Sequence, residues 1–260
     1  MAERRCLRYA LELAGARAIY GFFRLLPLDW ASAFGGFLAR SIGPRLGASK
    51  RAVINLRQAM PELGEARIAE IVRGMWDNLG RVIAEYPHLG EIDVFDPDGR
   101  VAHEGIGEAL TCRDQGKPCL FFSAHYGHWE IAAIAAVQAS FPTITVYRPP
   151  NNPFIDRLLA EARRPVGSTF IPKGPAAGRR LVEALESGAS LLMLVDQKMN
   201  DGIPVPFFGR KAMTAPALAR LALRFRCPVV PTRIERLAGA HFRITILPPL
   251  PLPDSGDLQA

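Results

Sequence analysis

His125 and Glu130 are the residues whose types and spacing first suggest chemistry, and they lie in the run Ser-Ala-His-Tyr-Gly-His-Trp-Glu at positions 123–130. A carboxylate beside an imidazole fixes its tautomer and raises its basicity, so such a pair can take a proton from a hydroxyl. A continuous helix would turn the two side chains about 140° apart, so they meet only if His125 lies in a turn and Glu130 in the first helical turn. Gly127 favours that turn. The alternative is a core histidine with an unrelated, exposed glutamate.

The flanking sequence places this run between a strand and a helix. Apolar residues 119–122 predict a short buried strand, and residues 129–139 follow a helical pattern. Ligand crevices in open α/β sheets form at the carboxyl ends of strands, which is where His125 is expected. We expect Gly127 and His128, in the same turn, to contact substrate. His128 also forms an H-x-x-H pair with His125, but no third ligand stands nearby in the sequence, so no metal site is expected.

The positive charge of the chain is concentrated near its amino terminus. The 260 residues carry a net charge of +7, and residues 1–60 hold ten Lys or Arg side chains against three carboxylates, which accounts for the whole excess. A basic, apolar segment on a neutral body favours an anionic membrane surface over nucleic acid as a partner, although an ordinary solvated basic face has the same composition. The four cysteines lack CxxC spacing, so they predict no disulfide framework and fit a reducing, cytoplasmic compartment.

The first 45 residues predict two short helices rather than a membrane span. Residues 7–26 are mostly apolar, yet four charged side chains interrupt them, and no signal-peptide cleavage pattern follows. Pro27 separates them from a second apolar piece at residues 30–38. We expect residues 1–45 to associate with a bilayer surface through interfacial aromatic side chains, with burial against the protein body as the alternative. The expected anchors are Tyr20, Phe22, Phe23 and Trp30.

Residues 46–260 predict one α/β domain in which a mixed sheet is flanked by helices. Apolar residues at spacings of three and four predict a helix between Pro61 and Pro87, and short apolar runs alternate with helical patterns after residue 100. The expected strands are 119–123, 143–147, 169–171, 191–195, 229–233 and 242–247. The expected helices are 107–115, 129–139, 152–163, 175–187 and 215–224, and residues 248–260 are expected to form a loop.

Four local patterns follow one another along the chain. They are His125 with Glu130, Gly-Ser-Thr-Phe-Ile-Pro-Lys at 167–173 after Arg163-Arg164, Asp196-Gln197 followed by Val-Pro-Phe-Phe-Gly at 205–209, and Cys-Pro-Val-Val-Pro at 227–231. Together with Asn78-Leu79-Gly80-Arg81, they make residues 5–250 resemble the bacterial lipid A biosynthesis lauroyl/myristoyl acyltransferases of the lysophospholipid acyltransferase superfamily. The resemblance implies a glycerol-3-phosphate acyltransferase-like fold. It also implies transfer of a fatty acyl chain from an acyl carrier protein or coenzyme A thioester to a hydroxyl of a lipid A precursor, with no further cofactor.

The resemblance implies roles for individual residues as well. His125 would be the general base, with Glu130 orienting it and stabilising its protonated form, and direct attack on the thioester would need neither a metal nor a covalent enzyme intermediate. Either Arg163 or Arg164 would be the catalytic arginine. The other expected contacts to a phosphorylated glycolipid come from cationic and polar side chains. These are Arg148, Lys173, Asp196 and Gln197.

The resemblance extends to location and partners, and it leaves rival functions open. We expect peripheral or monotopic attachment to the cytoplasmic face of a bacterial inner membrane, with acidic acyl carrier protein docking on the basic surface. Phe207 and Phe208 are expected to line the acyl channel or to anchor a loop. Chains of the family usually continue into a segment with Trp and Arg residues, so a shortened carboxyl end is expected. The rivals are the same chemistry on another lipid (a phosphatidylinositol mannoside, a lysophospholipid or an aminoacyl lipid), a catalytically silent membrane-binding homologue, and a metal-dependent hydrolase.

Overall fold

The computed structural model describes residues 2–174 and 177–253, which fold around a seven-stranded mixed sheet with a separate two-stranded hairpin. The large sheet contains β1 (Val101–Glu104), β2 (Leu120–Ser123), β3 (Thr143–Tyr147), β4 (Thr169–Pro172), β5 (Ser190–Leu194), β8 (Val229–Ala238) and β9 (His241–Ile246). The hairpin consists of β6 (Ile203–Phe207) and β7 (Arg210–Thr214). The order across the large sheet is β1-β9-β8-β2-β5-β3-β4, and neighbouring strands run parallel apart from the antiparallel β8–β9 pair.

Helices cover both faces of this sheet, and several of them come before its first strand in the chain. They are α1 (Ala2–Arg24), α2 (Leu28–Ile42), α3 (Gly47–Ala59), α4 (Glu65–Glu85), α5 (Ile106–Asp114), α6 (Glu130–Gln138), α7 (Pro153–Arg163), α8 (Ala177–Glu186) and α9 (Ala217–Phe225). Short 3-10 turns follow α2, α4 and α7, at Gly43–Arg45, Tyr86–Glu91 and Arg164–Val166. The α/β architecture predicted from the alternation of strand and helix patterns is confirmed.

The core lies on the two faces of the sheet because side chains along a strand alternate in direction. In β2, Leu120 packs in one apolar cluster and its neighbour Phe121 packs in the other. Leu191 and Leu192 of β5 divide in the same way. Helix α6 covers the face of Phe121, and helices α8 and α9 cover the face of Leu120. The central strands are therefore buried on both sides, and their ends are free to build a site.

Helix α2 packs closely on α4, across the boundary that the sequence suggested at residue 45. A Cβ atom added to Gly35 would lie 2.5 Å from the Gly80 carbonyl oxygen, so this crossing requires glycine. Phe23 is buried with Ala31 and Ala84, which corrects its expected role as an interfacial anchor. None of the helices within the described ranges combines the length and apolar character that crossing a membrane requires.

Most predicted elements lie within two residues of those observed, and the differences are local. Strand β8 continues five residues beyond the expected end at residue 233. The sequence analysis missed α3, β1 and the β6–β7 hairpin. Residues 248–253 form no helix or strand apart from a single bridge between Val229 and Leu250, as expected of a loop, while 254–260 lie outside the described residues. The first two residues of the expected helix at 175–187 also lie outside them.

Candidate active site

His125 lies just beyond β2 and contacts Asp196, which lies just beyond the neighbouring strand β5. The two strands run parallel with Ser123 beside Leu194, so their carboxyl ends bring both side chains to the same edge of the sheet. His125 Nδ1 is 2.7 Å from Asp196 Oδ1, and the backbone N–H of His125 donates to Asp196 Oδ2 at 2.9 Å. The carboxylate that contacts the imidazole is Asp196 and not Glu130, which corrects the pairing expected from the sequence.

The partners of His125 decide which ring nitrogen is free to act as a base. Burial opposes ionisation of Asp196, but hydrogen bonds from the His125 side chain and backbone outweigh it and hold the pKa of Asp196 below its usual value. Because an ionised carboxylate only accepts hydrogen bonds, we assign the imidazole proton to Nδ1, which leaves a lone pair on Nε2. Nε2 lies 3.3 Å from Gln197 Nε2, whose amide can donate to it. The pair is thus arranged to take a proton at Nε2.

Glu130 belongs instead to a buried cluster with Arg163 and Tyr86. Arg163 Nη2 is 2.5 Å from Glu130 Oε1, and the Tyr86 hydroxyl donates to the same oxygen at 2.8 Å. Burial and the Glu130 charge both raise the pKa of Tyr86 well above its usual value, so it stays protonated. The Arg163 guanidinium also lies 4.5 Å from the centre of the Phe170 ring, within cation–π distance. Arg164, the other candidate arginine, is exposed in the turn that follows α7.

A cavity of about 720 Å³ connects the His125 edge of the sheet with helices α8 and α9. His125, Glu130, Arg163 and several cationic or polar residues expected from the sequence line it, including Arg148, Lys173 and Gln197. Sequence reasoning missed Arg220 and Asp201, which also line it. Most of the remaining wall is apolar and includes Leu181, Leu192, Val195, Leu218 and Leu221. A cavity of this size with both kinds of lining suits a ligand that has a polar group and a hydrocarbon chain.

One protein family, described as bacterial lipid A biosynthesis acyltransferase, matches residues 1–260. The chain belongs to this family. No curated protein matches the chain. Membership confirms the resemblance inferred from the ordered sequence patterns and makes the protein an acyltransferase of the lipid A biosynthesis type. The apolar and cationic lining of the cavity is the chemistry that an acylated, phosphorylated glycolipid and a fatty acyl donor require.

Two residues expected to bind substrate in this acyltransferase lie away from the cavity. Gly127 adopts a φ of +58°, and a Cβ atom there would overlap the Ile234 carbonyl oxygen, so the residue shapes the turn between His125 and α6. His128 is fully buried, and neither of its ring nitrogens has a hydrogen-bond partner among the described residues. Burial lowers the pKa of His128 more strongly than the nearby Glu85 raises it, so the ring stays neutral. Neither residue lines the cavity, so the structure does not place the substrate contacts expected of them at this cavity.

A second buried ion pair holds the Gly127 turn in place. Glu85 is fully buried, and its two oxygens accept from Arg236 at 2.6 and 2.8 Å. Arg236 Nε donates to Asn78 Oδ1 at 2.9 Å, and Asn78 Nδ2 donates to the Gly127 carbonyl at 2.8 Å. The amide of Asn78 can make both bonds in one orientation only, since Arg236 is purely a donor and a carbonyl purely an acceptor. Sequence reasoning named Asn78 in the family pattern but found no role for it.

The two phenylalanines that were expected to line an acyl channel or to anchor a loop lie outside the cavity. Phe207 and Phe208 are exposed at 65% and 52%, on the hairpin, and neither lines the cavity. Residues of α8, α9 and β5 line the cavity instead. Within the described ranges, no group of three or more His, Cys, Asp or Glu side chains is arranged to hold a metal ion.

Proposed function

We propose that this acyltransferase moves a fatty acyl chain from an acyl carrier protein or coenzyme A thioester to a hydroxyl of a lipid A precursor, with His125 as the general base. The observation that supports this proposal best is the His125–Asp196 pair, whose His125 lines a large and mostly apolar cavity. Asp196 takes the orienting role that the sequence had suggested for Glu130. No cofactor beyond the thioester co-substrate is part of the proposal.

The proposed reaction needs one proton acceptor and one stabilised oxyanion. Nε2 of His125 removes the proton from the acceptor hydroxyl as its oxygen attacks the thioester carbon. The tetrahedral intermediate carries a negative oxygen, for which we propose the cavity-lining Arg163 as a donor. The intermediate collapses to an ester and a thiolate, and the imidazolium returns the proton to the sulfur. Asp196 stabilises the imidazolium while it exists, and Glu130 holds Arg163 in place.

We propose that the remaining cations of the cavity bind phosphate groups. Arg148, Lys173 and Arg220 are exposed and line the same wall, while Asp201 contributes one opposing carboxylate. A guanidinium or ammonium beside a phosphate gives charge-assisted hydrogen bonds that are about twice as strong as neutral ones. Gln197 is proposed to hold Nε2 of His125 until the acceptor hydroxyl replaces its amide.

Residues 1–45 are proposed to attach the protein peripherally to the cytoplasmic face of a bacterial inner membrane. Exposed apolar side chains are frequent on α1 and α2, and Leu11, Phe22, Trp30 and Phe37 are all at least 47% exposed. The same segment carries much of the excess positive charge of the chain. Apolar and basic residues on one surface are typical of helices that lie at an anionic bilayer interface.

The experiment that tests the proposal is a transfer assay with purified protein and a panel of labelled acceptors. The panel contains a tetraacylated lipid A precursor, a lysophospholipid, a phosphatidylinositol mannoside and an aminoacyl lipid, each with acyl carrier protein and coenzyme A thioesters of several lengths. We expect the lipid A precursor to be acylated. If only another lipid of the panel is acylated, the reaction type stands and that lipid is the acceptor. If folded protein acylates none of the lipids, the proposal is contradicted.

A further inference from the structure

The β6–β7 hairpin exposes large apolar side chains that the proposed reaction does not use. Phe207 and Phe208 are 65% and 52% exposed, and Ile203 and Val205 on the same hairpin are 44% and 37% exposed. The two strands form a sheet of their own. A two-stranded hairpin is only marginally stable in water, and clustered exposed apolar residues mark interaction surfaces. We call Phe207, Phe208, Arg210 and Lys211 the hairpin tip.

The turn of the hairpin holds a bulky side chain in a left-handed backbone conformation. Phe207 pairs with Arg210, so Phe208 and Gly209 form a two-residue turn, and both have positive φ values, +48° and +68°. Such turns usually carry Asn, Asp or Gly at the first position, because a bulky side chain is strained there. Local strain of this kind marks positions with a functional constraint. This turn places the rings of Phe207 and Phe208 side by side at the tip, with centroids 4.8 Å apart.

The charge and the position of the hairpin tip indicate what it contacts. Residues 202–214 contain Arg210 and Lys211 and no carboxylate, so the tip is apolar and basic. Arg210 also hydrogen-bonds to Gln58 on α3, a helix with exposed basic residues. Both ends of the hairpin lead to the cavity, because Met199 and Asp201 before β6, and Ala215 and Pro216 after β7, line it. The hairpin therefore rises from the rim of the active-site cavity.

We propose that the hairpin tip inserts into the interfacial region of a bilayer that contains anionic lipids. Phe207 and Phe208 enter the boundary between headgroups and acyl chains, and Arg210 and Lys211 contact headgroup phosphates. Aromatic rings beside cations are the side chains that occupy this interface. The inference deepens the proposed function, on which it rests for a lipid acceptor, because insertion at the rim brings the cavity to the membrane that holds that acceptor.

Vesicle binding by the full chain tests this inference without any acyl transfer. Vesicles that mix a zwitterionic and an anionic phospholipid are sedimented with wild type, with the double variant Phe207→Ser/Phe208→Ser, and with the control Leu237→Ser/Leu247→Ser. The control removes exposed apolar side chains from β8 and from the segment after β9, away from the hairpin. We expect the tip variant to partition roughly ten- to a hundred-fold more weakly than wild type, and the control to be unchanged.

A second variant keeps the inference testable if the double variant does not fold. Because Trp30 lies in the proposed membrane-attaching segment, the readout is the emission of Phe207→Trp minus that of wild type. This difference should show a blue shift when the mixed vesicles are present, and a smaller shift with purely zwitterionic vesicles. Equal partition of the tip variant and wild type, or an unchanged emission of Phe207→Trp, would overturn the inference. Normal vesicle binding of the tip variant together with a raised KM for acyl carrier protein thioester would also overturn the inference, because the tip would then bind a protein. Failure of the proposed function is a separate result, since it concerns acyl transfer and leaves vesicle binding unaffected.

Discussion

Replacing Asp196 with asparagine removes the charge beside His125 and also disturbs the imidazole tautomer. Asp196 accepts two hydrogen bonds from His125, one from Nδ1–H at 2.7 Å and one from the backbone N–H at 2.9 Å. An asparagine has one acceptor oxygen, so one of the two donors must face its NH₂ group. If the backbone keeps the oxygen, Nδ1 accepts from the NH₂ group and the ring proton moves to Nε2. In that tautomer Nε2 cannot take a proton from the acceptor hydroxyl.

The expected fall in kcat follows from the loss of the Asp196 charge and from the change of the His125 tautomer. Asparagine in place of the aspartate of a serine protease triad lowers kcat by about 10⁴ through the same change of tautomer. His125 is partly exposed, so water compensates for some of the missing charge. We therefore expect Asp196→Asn to lower kcat by about 10² to 10⁴, which corresponds to about 3 to 5 kcal/mol of activation free energy.

The assay is steady-state acyl transfer at saturating acceptor, with the melting temperature of each variant as a check on folding. Asp98→Asn is the matched control, because Asp98 is exposed, does not line the cavity and undergoes the same change of charge. We expect the control to keep kcat within about threefold of wild type, as is usual for residues outside the catalytic group. A kcat for Asp196→Asn that also lies within threefold of wild type would refute the orienting role of Asp196.

Three further predictions concern the buried Arg163–Glu130 pair, the buried His128 and the apolar wall of the cavity. Arg163→Ala leaves the buried Glu130 carboxylate without its cationic partner and should lower the free energy of unfolding in urea by about 3–5 kcal/mol, whereas exposed Arg164→Ala should change it by less than about 0.5 kcal/mol. Equal losses would contradict the assignment of the buried ion pair to Arg163. The folded state lowers the pKa of His128, so the unfolded state binds the proton and stability is lost as pH falls below about 6.5. Wild type should therefore lose stability between pH 8 and pH 5 that His128→Phe keeps, and parallel pH profiles of the two proteins would contradict this. Leu221→Trp places a larger side chain on the apolar wall and reduces the space in the cavity. In a competition assay the preferred thioester should therefore have a shorter acyl chain, with discrimination of about 1–3 kcal/mol per methylene. An unchanged preference would mean that the acyl chain binds elsewhere.

The sequence predicted the sheet well because its strands are short apolar runs between clear breaks. The strand before His125 and the helix after it lie where the pattern placed them, so the location of the site at a strand end could be inferred. The partner of His125 could not be inferred from spacing. Asp196 is 71 residues away and becomes a neighbour only because β2 and β5 are adjacent in the sheet. Strand order depends on packing of the whole domain, which one local pattern does not contain.

The elements that sequence reasoning missed have individual physical causes. Strand β6 contains Pro204 and Pro206, and proline is rare in paired strands because it lacks a backbone N–H. Strand β1 has four residues and only Val101 is buried, so it shows little apolar pattern. His128 resembled a site residue because it is three positions from His125. Its burial depends on distant groups such as Glu85, which no local spacing reveals.

The adjacent Arg163 and Arg164 show how one residue at a helix end decides which side chain reaches the cavity. Both residues have the same type and are adjacent, so composition could not separate them. Helix α7 ends at Arg163, whose side chain points into the Glu130 cluster, and Arg164 begins the exposed turn beyond it. The exact end of a helix is the least predictable feature of a sequence pattern, since helix ends vary by one or two residues.

The central claim is that His125 removes the proton from the acceptor hydroxyl, and a single-turnover measurement tests it most directly. Wild type and His125→Ala are each loaded with a labelled acyl carrier protein thioester and mixed with the tetraacylated lipid A precursor, and ester formation is followed over time at several pH values. The account predicts that His125→Ala binds both substrates but forms ester about 10² to 10⁴ times more slowly than wild type, with a smaller dependence on pH near neutrality. Ester formation at the same rate by both proteins would contradict it.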